Sequence, residues 1–325
     1  MPTKFITAAC ASSRDVRRLL TAVAAAGGWL LVATAAAAAA AVPTPPVLGE
    51  VILHRVQPGE NLLDLARSYG LGYVEIMAAN RGIDPWAPPA GRQLVLPTAH
   101  IPPAEPRSGI VVNLGDMRLY WYRRPGKPPE SFPIGIGRIG LDMPQGRTWV
   151  VRKRVNPSWG VPPSIRREHP ELPAVVPAGP DNPLGAFSLD LARGDYRIHG
   201  TNKPDGVGRR VSHGCVHLYP ENIAALFAEV PVGTPVTVVD QPAALAWVDG
   251  ELYLQVHPSG RQADQLEDIG SFTAEAVPGL EQAVRKVAGT EADRVDWDAV
   301  ARIARARRGV PEQITLLRYP QALAK

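Results

Sequence analysis

Between residues 199 and 217 the chain reads His199-Gly200-Thr201-Asn202 and then Arg210-Val211-Ser212-His213-Gly214-Cys215-Val216-His217. The stretch holds three of the seven histidines and one of the two cysteines, the other being Cys10. A free thiol has a pKa near 8.5, so only a few per cent is thiolate at neutral pH. Nucleophilic use needs a base or a positive field beside it, and a histidine supplies both by taking the thiol proton and remaining as imidazolium. Gly214 lets the backbone turn sharply before Cys215. Neighbouring N–H groups can then converge on an oxyanion, the device of acyl-transfer catalysis. A lone cysteine is most often structural. One with Gly214 and His213 just before it, and His199 upstream at a strand end, points to chemistry. Zinc is the competing reading, since His199, His213, Cys215 and His217 are acceptable ligand types. An extended 213–217 would put 213, 215 and 217 on one face, although the spacing matches no common zinc signature.

Positioning these groups requires a β framework. From Ser108 to Asp240 the pattern is short alternating runs and turns, predicting strands over 109–114, 117–122, 131–135, 148–155, 186–191, 196–199 and 235–239. Gly115-Asp116 reads as a two-residue hairpin turn between the first two. Residues 156–185 are proline-rich without a period and read as one long loop, of the kind that serves as a lid. One helix is clear: Pro220 at its first position, Glu221 in its first turn, Ile223, Leu226 and Phe227 on one face, and Pro231 beyond its end. Upstream, 51–97 reads as a β-α-α-β unit: a strand over 51–56, a helix capped by Asn61, a second helix near 73–79, and a strand closing on Pro97. Residues 98–107, with three prolines, read as a stiff linker that lets this unit fold separately. The tail, 241–325, predicts a strand over 252–256 and helices near 273–288 and 296–307. The arginines at 302, 305, 307 and 308 read as a solvated face. The fold class is mainly β with some α.

Composition narrows the function. Hydrophobic residues make up 45% and charged residues 20% of the 325, an ordinary globular balance. Most of the formal +4 charge lies in the first 18 residues, where Lys4, Arg14, Arg17 and Arg18 stand against Asp15. A nucleic-acid footprint is therefore not expected. Residues 1–42 run from that basic start through an apolar stretch into an alanine tract, which predicts a signal peptide cleaved near 37–42; an uncleaved anchor is the alternative. The mature chain would keep Cys215 alone and could form no internal disulfide.

Two resemblances now enter. His199-Gly200 followed by Ser212-His213-Gly214-Cys215-Val216 resembles the signature of the L,D-transpeptidase (YkuD-type) catalytic domain, over 108–240. Val56, Gly59-Glu60, Leu62, Leu65-Ala66, Asn80, Gly91, Leu94 and Pro97 resemble the LysM module pattern, over 51–97. Together with 133–137, 173–185 and 230–234, the chain is similar to the ErfK/YbiS/YcfS/YnhG group of Gram-negative periplasmic enzymes. The resemblance implies a β-sandwich catalytic domain and a location in the periplasm. It implies acyl transfer through a Cys215 thioester, from the diaminopimelate of a peptidoglycan tetrapeptide stem with D-Ala released. The acceptor would be a second stem, giving a 3-3 cross-link, or the terminal lysine of an outer-membrane lipoprotein.

It further implies His199 as general base, oriented by the Gly200 carbonyl. Gly214 N–H becomes an oxyanion donor and His213 a support for the pocket or thiolate. Arg210 would meet a substrate carboxylate, with Ser212, His217 and Asn182 beside the substrate. Gly59 and Asn80 would serve glycan binding, and no metal or organic cofactor is called for. His217 departs from the family, which usually has Arg or Asn there. Carbapenems acylate the cysteine of this family. A peptidoglycan amide hydrolase of the same fold and a non-catalytic wall-binding protein remain the alternatives.

Overall fold

The computed structural model describes residues 46–104 and 106–316. The signal-peptide reading of 1–42 lies outside the described residues, as does the end of the tail. Among the described residues no helix is long and apolar enough to cross a membrane.

The first unit is β1 (Ile52–Arg55), α1 (Leu62–Ser68), α2 (Tyr73–Ala79) and β2 (Gln93–Leu96). β1 and β2 pair antiparallel, Ile52 opposite Leu96 and Arg55 opposite Gln93. Asn61 caps α1 by accepting from the Asp64 N–H.

Next come β3 (Gly109–Asn113), β4 (Arg118–Tyr122), β5 (Glu130–Pro133), β6 (Ile136–Gly137) and β7 (Gly146–Val155). After them run β8 (Trp159–Gly160), α3 (Pro163–Glu168), β9 (Val175–Val176), β10 (Phe187–Leu191) and β11 (Arg197–His199). β12 (Arg210–Ser212), β13 (Val216–His217), α4 (Pro220–Glu229) and β14 (Pro235–Val239) complete the central part. Eight strands form one sheet in the order β13-β11-β10-β7-β14-β3-β4-β5. Its two ends are brought together by a bridge: Gly135 N–H donates to His217 O at 2.8 Å and His217 N–H returns to Gly135 O at 3.0 Å. The mainly β architecture is therefore one curled sheet whose last strand lies beside the chain leaving its first edge. β12 pairs with β6 across the same seam.

The tail adds β15 (Ala243–Val248), β16 (Glu251–Val256), α5 (Gly260–Ile269), α6 (Leu280–Ala288), α7 (Trp297–Ala306) and β17 (Glu312–Gln313). β15, β16 and β17 form a sheet over a core of its own, built on Leu252, Leu254, Val284, Val300 and Ile303.

Three local expectations need correction. The β3–β4 turn has four residues, because Met117 adopts φ +54° and the strands pair only from Asn113 opposite Arg118. Residues 156–185 are not a bare loop. β8 pairs with β9, and α3 lies between them. Its start is Pro162-Pro163: one proline at the cap, one in the first turn, where a missing N–H costs nothing. The prolines that read as loop signals are helix-start signals. The expected helix near 273–288 is α6, shorter and starting at Leu280, while α5 begins earlier under a Ser259–Gln262 capping box.

The largest correction concerns the linker and the first unit. Ala99, His100 and Ile101 are buried. Gln255 ties them to the tail, its amide donating to Ala99 O at 3.0 Å and its oxygen accepting from Ile101 N–H at 2.7 Å. Every residue of α2 is buried, and the apolar core of the first unit is continuous with that of the curled sheet. Tyr73 and Val74 N–H donate to Val207 and Gly208 carbonyls at 3.2 and 3.1 Å. Between the units lies a dry ion pair: Arg118 Nη1 is 2.9 Å from Glu75 Oε2, the two side chains 3% and 4% exposed. Removing one member of such a pair strands the other charge without water. Glu75→Ala is expected to cost about 3–5 kcal/mol, read as a drop in the denaturant midpoint at unchanged slope. A loss below about 1 kcal/mol would mean that Arg118 finds water or another partner.

Candidate active site

The parallel pairing of β11 with β13 sets the site. Ile198 lies opposite Val216 and His199 opposite His217, so paired side chains share a face. The two imidazoles lie 6.2 Å apart between ring centroids, nearly parallel. Cys215 sits one residue before β13, level with Arg197, and its thiol is half-buried. The Sγ contact is with the Asp195 carbonyl at 3.9 Å.

Gly214 makes this placement possible. Its φ is +107°, in the region L side chains avoid. A Cβ there would meet Leu141 O and the Tyr196 ring, both at 2.9 Å. The turn is braced by Ser212, whose hydroxyl donates to Cys215 O at 2.6 Å and accepts the Gly214 N–H at 3.2 Å. Two expectations change here. Ser212 is a turn brace rather than a substrate contact. The Gly214 N–H already has an acceptor, which an oxyanion would share or displace.

His199 is 7% exposed. Its Nδ1 lies 2.6 Å from Gly200 O. A carbonyl can only accept, so Nδ1 carries the proton and Nε2 keeps a lone pair. Burial, helped by the nearby His217 and Arg197, pulls the imidazole down to about 3. His217 is likewise lowered to about 4 by burial. Burial pushes the Cys215 thiol above its ordinary value, opposed in part by the Arg197 backbone N–H. At neutral pH the resting groups are therefore a neutral thiol and a neutral imidazole.

His213 lies away from the thiol's own contacts. Its Nε2 is 2.7 Å from Arg138 Nη2 and 3.1 Å from Glu168 Oε2. One tautomer accepts from the guanidinium, while the other donates to the carboxylate. Arg138 and Glu168 also pair directly, at 3.0 Å. Glu168 ends α3, so this cluster fastens the 156–185 segment to the residue two before Cys215. Hydrogen bonds from His213 and Arg138 hold the Glu168 carboxyl below the usual carboxylate range.

The remaining expected substrate contacts are structural. Arg210 is paired with Asp142 at 2.6 Å and nearly buried, so no substrate carboxylate can take its charge without breaking that pair. His217 is 5% exposed. Its Nε2 lies 3.1 Å from Gly206 O, and its ring is pressed so closely on Gly135 that a Cβ there would lie 2.1 Å away. Where the family usually has a long polar side chain, this chain has a flat ring wedged into the sheet seam. Asn182 is buried and donates to Pro157 and Pro177 carbonyls at 2.8 and 3.0 Å while accepting from Leu184 N–H. It holds the ends of the 156–185 segment together. Asn80 donates to Ile76 and Val95 carbonyls and accepts from Val95 N–H, locking α2 to β2. Both of its amide hydrogens are used, so it has none left for a glycan. Gly59 lies in the exposed turn after β1.

Sequence reasoning missed Arg138, Glu168 and Tyr196. Arg138 directly follows Ile136-Gly137, and nothing in its local pattern distinguishes it from a surface arginine. Among the described residues no group of three or more His, Cys, Asp or Glu side chains is gathered as metal ligands.

Comparison with known proteins places the chain in a family. The L,D-transpeptidase catalytic domain family (YkuD) matches residues 107–238, and the LysM domain family matches residues 54–97. The Escherichia coli (strain K12) protein named probable L,D-transpeptidase ErfK/SrfK is 40% identical over 271 residues, 81% of this chain and 84% of its own length. The one named probable L,D-transpeptidase YbiS, from the same strain, is 44% identical over 198 residues, 59% of this chain and 64% of that one. Among solved structures, the catalytic domain of the E. faecium L,D-transpeptidase acylated by ertapenem is 24% identical. It covers 40% of this chain and 95% of that chain, with a TM-score of 0.32. The chain belongs to the YkuD-type L,D-transpeptidases and carries a LysM domain. It is an L,D-transpeptidase enzyme.

Proposed function

We propose that the chain acts on peptidoglycan in the periplasm, by two-step acyl transfer through Cys215. The observation that carries this is the tautomer of His199. Gly200 O accepts a hydrogen bond from Nδ1–H at 2.6 Å, and the basic Nε2 is left on the sheet face that β13 shares.

In the first step the thiol proton passes to Nε2 as Sγ attacks the carbonyl of the stem's diaminopimelate. The negative oxygen is stabilised by backbone N–H groups at the Gly214–Cys215 turn, Gly214 N–H exchanging Ser212 Oγ for the oxyanion. The C–N bond breaks and the D-Ala amine leaves with the proton from Nε2. The second step reverses the roles. An acceptor amine attacks the thioester, Nε2 takes its proton, and the thiolate recovers a proton as the new amide forms. His213 supports the pocket by anchoring the 156–185 segment through Glu168. The acceptor is the amine of a second stem, giving a 3-3 cross-link, or that of a lipoprotein lysine. The LysM domain, docked through α2, holds the enzyme on glycan strands.

The test is the purified mature chain with a disaccharide tetrapeptide, followed by mass spectrometry. Release of D-Ala with formation of a 3-3 dimer supports transfer. A conjugate of the stem tripeptide with a lysine-ended peptide, formed in place of the dimer when that peptide is added, identifies the lipoprotein-type acceptor. Accumulation of tripeptide alone, with amines present in excess, would replace transferase by hydrolase. No release of D-Ala at all would overturn the substrate.

A further inference from the structure

The arginines at the end of the tail read as a solvated face, and two of them are not: Arg307 is buried, donating to the His257, Glu275 and Ala276 carbonyls, and Arg308 is half-buried. Arg308, just after α7, reaches back to the LysM domain, its guanidinium 3.5 Å from Ala79 O at the end of α2. There it lines a cavity of about 310 Å³ together with Asn80, Arg81, Arg92, Gln93 and Val95. Three guanidiniums thus come from three separate places: the segment after α2, the residue before β2, and the tail. No carboxylate belongs to the lining. Among the described residues none of the three forms an ion pair; Arg308 is half-buried, and most of the chain's buried or half-buried arginines do form one. Arg81 is further fixed by stacking on Phe272, 4.6 Å from the ring centroid. The charge of Arg308, together with partial burial, lowers the Arg81 pKa.

Like charges do not converge around an empty cavity without cost. The neutral lining is equally suggestive, because the Asn80 amide is wholly committed to backbone. That leaves the three guanidiniums as the charged donors on this wall, beside the neutral Gln93 amide, and guanidiniums select planar anions such as carboxylates, which they grip through paired N–H groups. The cavity opens on the LysM domain itself, beside β2. A glycan strand held there carries stem peptides, and stems carry free carboxylates.

We propose that Arg81, Arg92 and Arg308 form a carboxylate-binding subsite that takes a stem peptide of the strand held by the LysM domain. The subsite rests on the peptidoglycan reading above and deepens it. It makes the tail part of substrate selection: without Arg308 the cavity loses one wall. It also gives the enzyme a preference for glycan that still bears stems, the material on which transfer can occur.

The experiment is co-sedimentation of the full mature chain with intact sacculi and with sacculi stripped of stems by an amidase. A Cys215→Ala background prevents covalent capture. Arg81 and Arg92 are exposed, so Arg81→Gln/Arg92→Gln should fold normally, as checked by thermal melting. Arg308→Gln is the third variant. The expected result is binding to intact sacculi about tenfold weaker in the double variant, weaker in Arg308→Gln too, and steeply salt-dependent in the parent. Binding to stripped glycan should be unchanged by the substitutions. Equal binding of parent and variants to intact sacculi would overturn the subsite. Equal weakening on both materials would assign the arginines to the glycan strand, whose lactyl carboxylates amidase leaves behind, and overturn the stem peptide as the occupant. A parent that pellets with neither material would instead overturn the peptidoglycan reading.

Discussion

Cys215→Ala and Cys215→Ser are each expected to leave a folded chain with no measurable acyl transfer, a loss of roughly 10⁴-fold or more. The size follows from chemistry. The thioester needs sulfur, and a serine hydroxyl beside an imidazole lowered to about 3 has neither sulfur's nucleophilicity nor a strong base. Intact folding follows from contacts. The Cys215 side chain has only weak partners, Asp195 O at 3.9 Å and the Arg197 backbone N–H. Its turn is held instead by backbone: Ser212 to Cys215 O, and Gly214 at φ +107°. Removing Sγ should therefore leave melting within a degree or two of wild type while abolishing D-Ala release from the tetrapeptide. Near wild-type turnover in either variant would refute covalent catalysis at this residue. Lost activity with lost folding would show that the turn depends on the thiol after all.

What could be read from the chain divides along a physical line. The curled sheet and the β-α-α-β unit were legible, since alternation, capping by Asn61 and the proline start of α4 are local signals that tertiary packing reinforces. The sequence singles out His199, Gly200 and Cys215 because one short stretch supplies both neighbouring parallel strands, β11 and β13. Polar residues whose partners are distant were misread. Arg210 looks like a free cation until Asp142 is brought beside it, and Asn182 and Asn80 look available until backbone carbonyls from other segments consume their donors. Glu75, in the first turn of α2, accepts the Gly72 N–H at 2.6 Å. Only the fold brings Arg118 to both of its oxygens and turns a tethered module into a docked one.

The docked arrangement matters for reading the site. β12 and β13, which flank the Cys215 turn, follow the 207–208 segment on which α2 rests. The LysM domain therefore braces the segment that leads to the nucleophile. Deleting it would expose α2's apolar bed and strand the Arg118 charge, so loss of activity in such a truncation would report folding rather than wall binding.

His199→Ala is expected to cost about 10²–10⁴-fold in transfer near neutral pH, and the loss should shrink as pH rises. The reason lies in the two resting protonation states. Burial holds the imidazole near 3 and lifts the thiol, so no preformed thiolate–imidazolium pair exists at pH 7. Attack must then carry the proton from Sγ to Nε2 as the bond forms, and Nε2 is available for this because the hydrogen bond to Gly200 O keeps the ring proton on Nδ1. Without the imidazole, reaction waits for the thiol to ionise by itself, which becomes common only as pH climbs through its raised value. In the wild type, the neutral imidazole persists far below pH 6.5, so no activity loss centred near the ordinary histidine pKa should appear while the fold holds. A carbapenem makes the comparison direct, since its strained amide can be opened by the same thiol and the adduct weighed on intact protein. Wild type should gain one drug mass, at a rate rising towards alkaline pH. His199→Ala should be much slower at pH 7 and approach wild type at high pH. Cys215→Ala should gain nothing, and His217→Ala should lose far less rate than His199→Ala. A wild-type rate that plateaus from pH 7 upward would mean that the ion pair forms in the resting enzyme. A penalty for His199→Ala that stays constant at every pH would mean that the imidazole shapes the pocket instead of moving the proton.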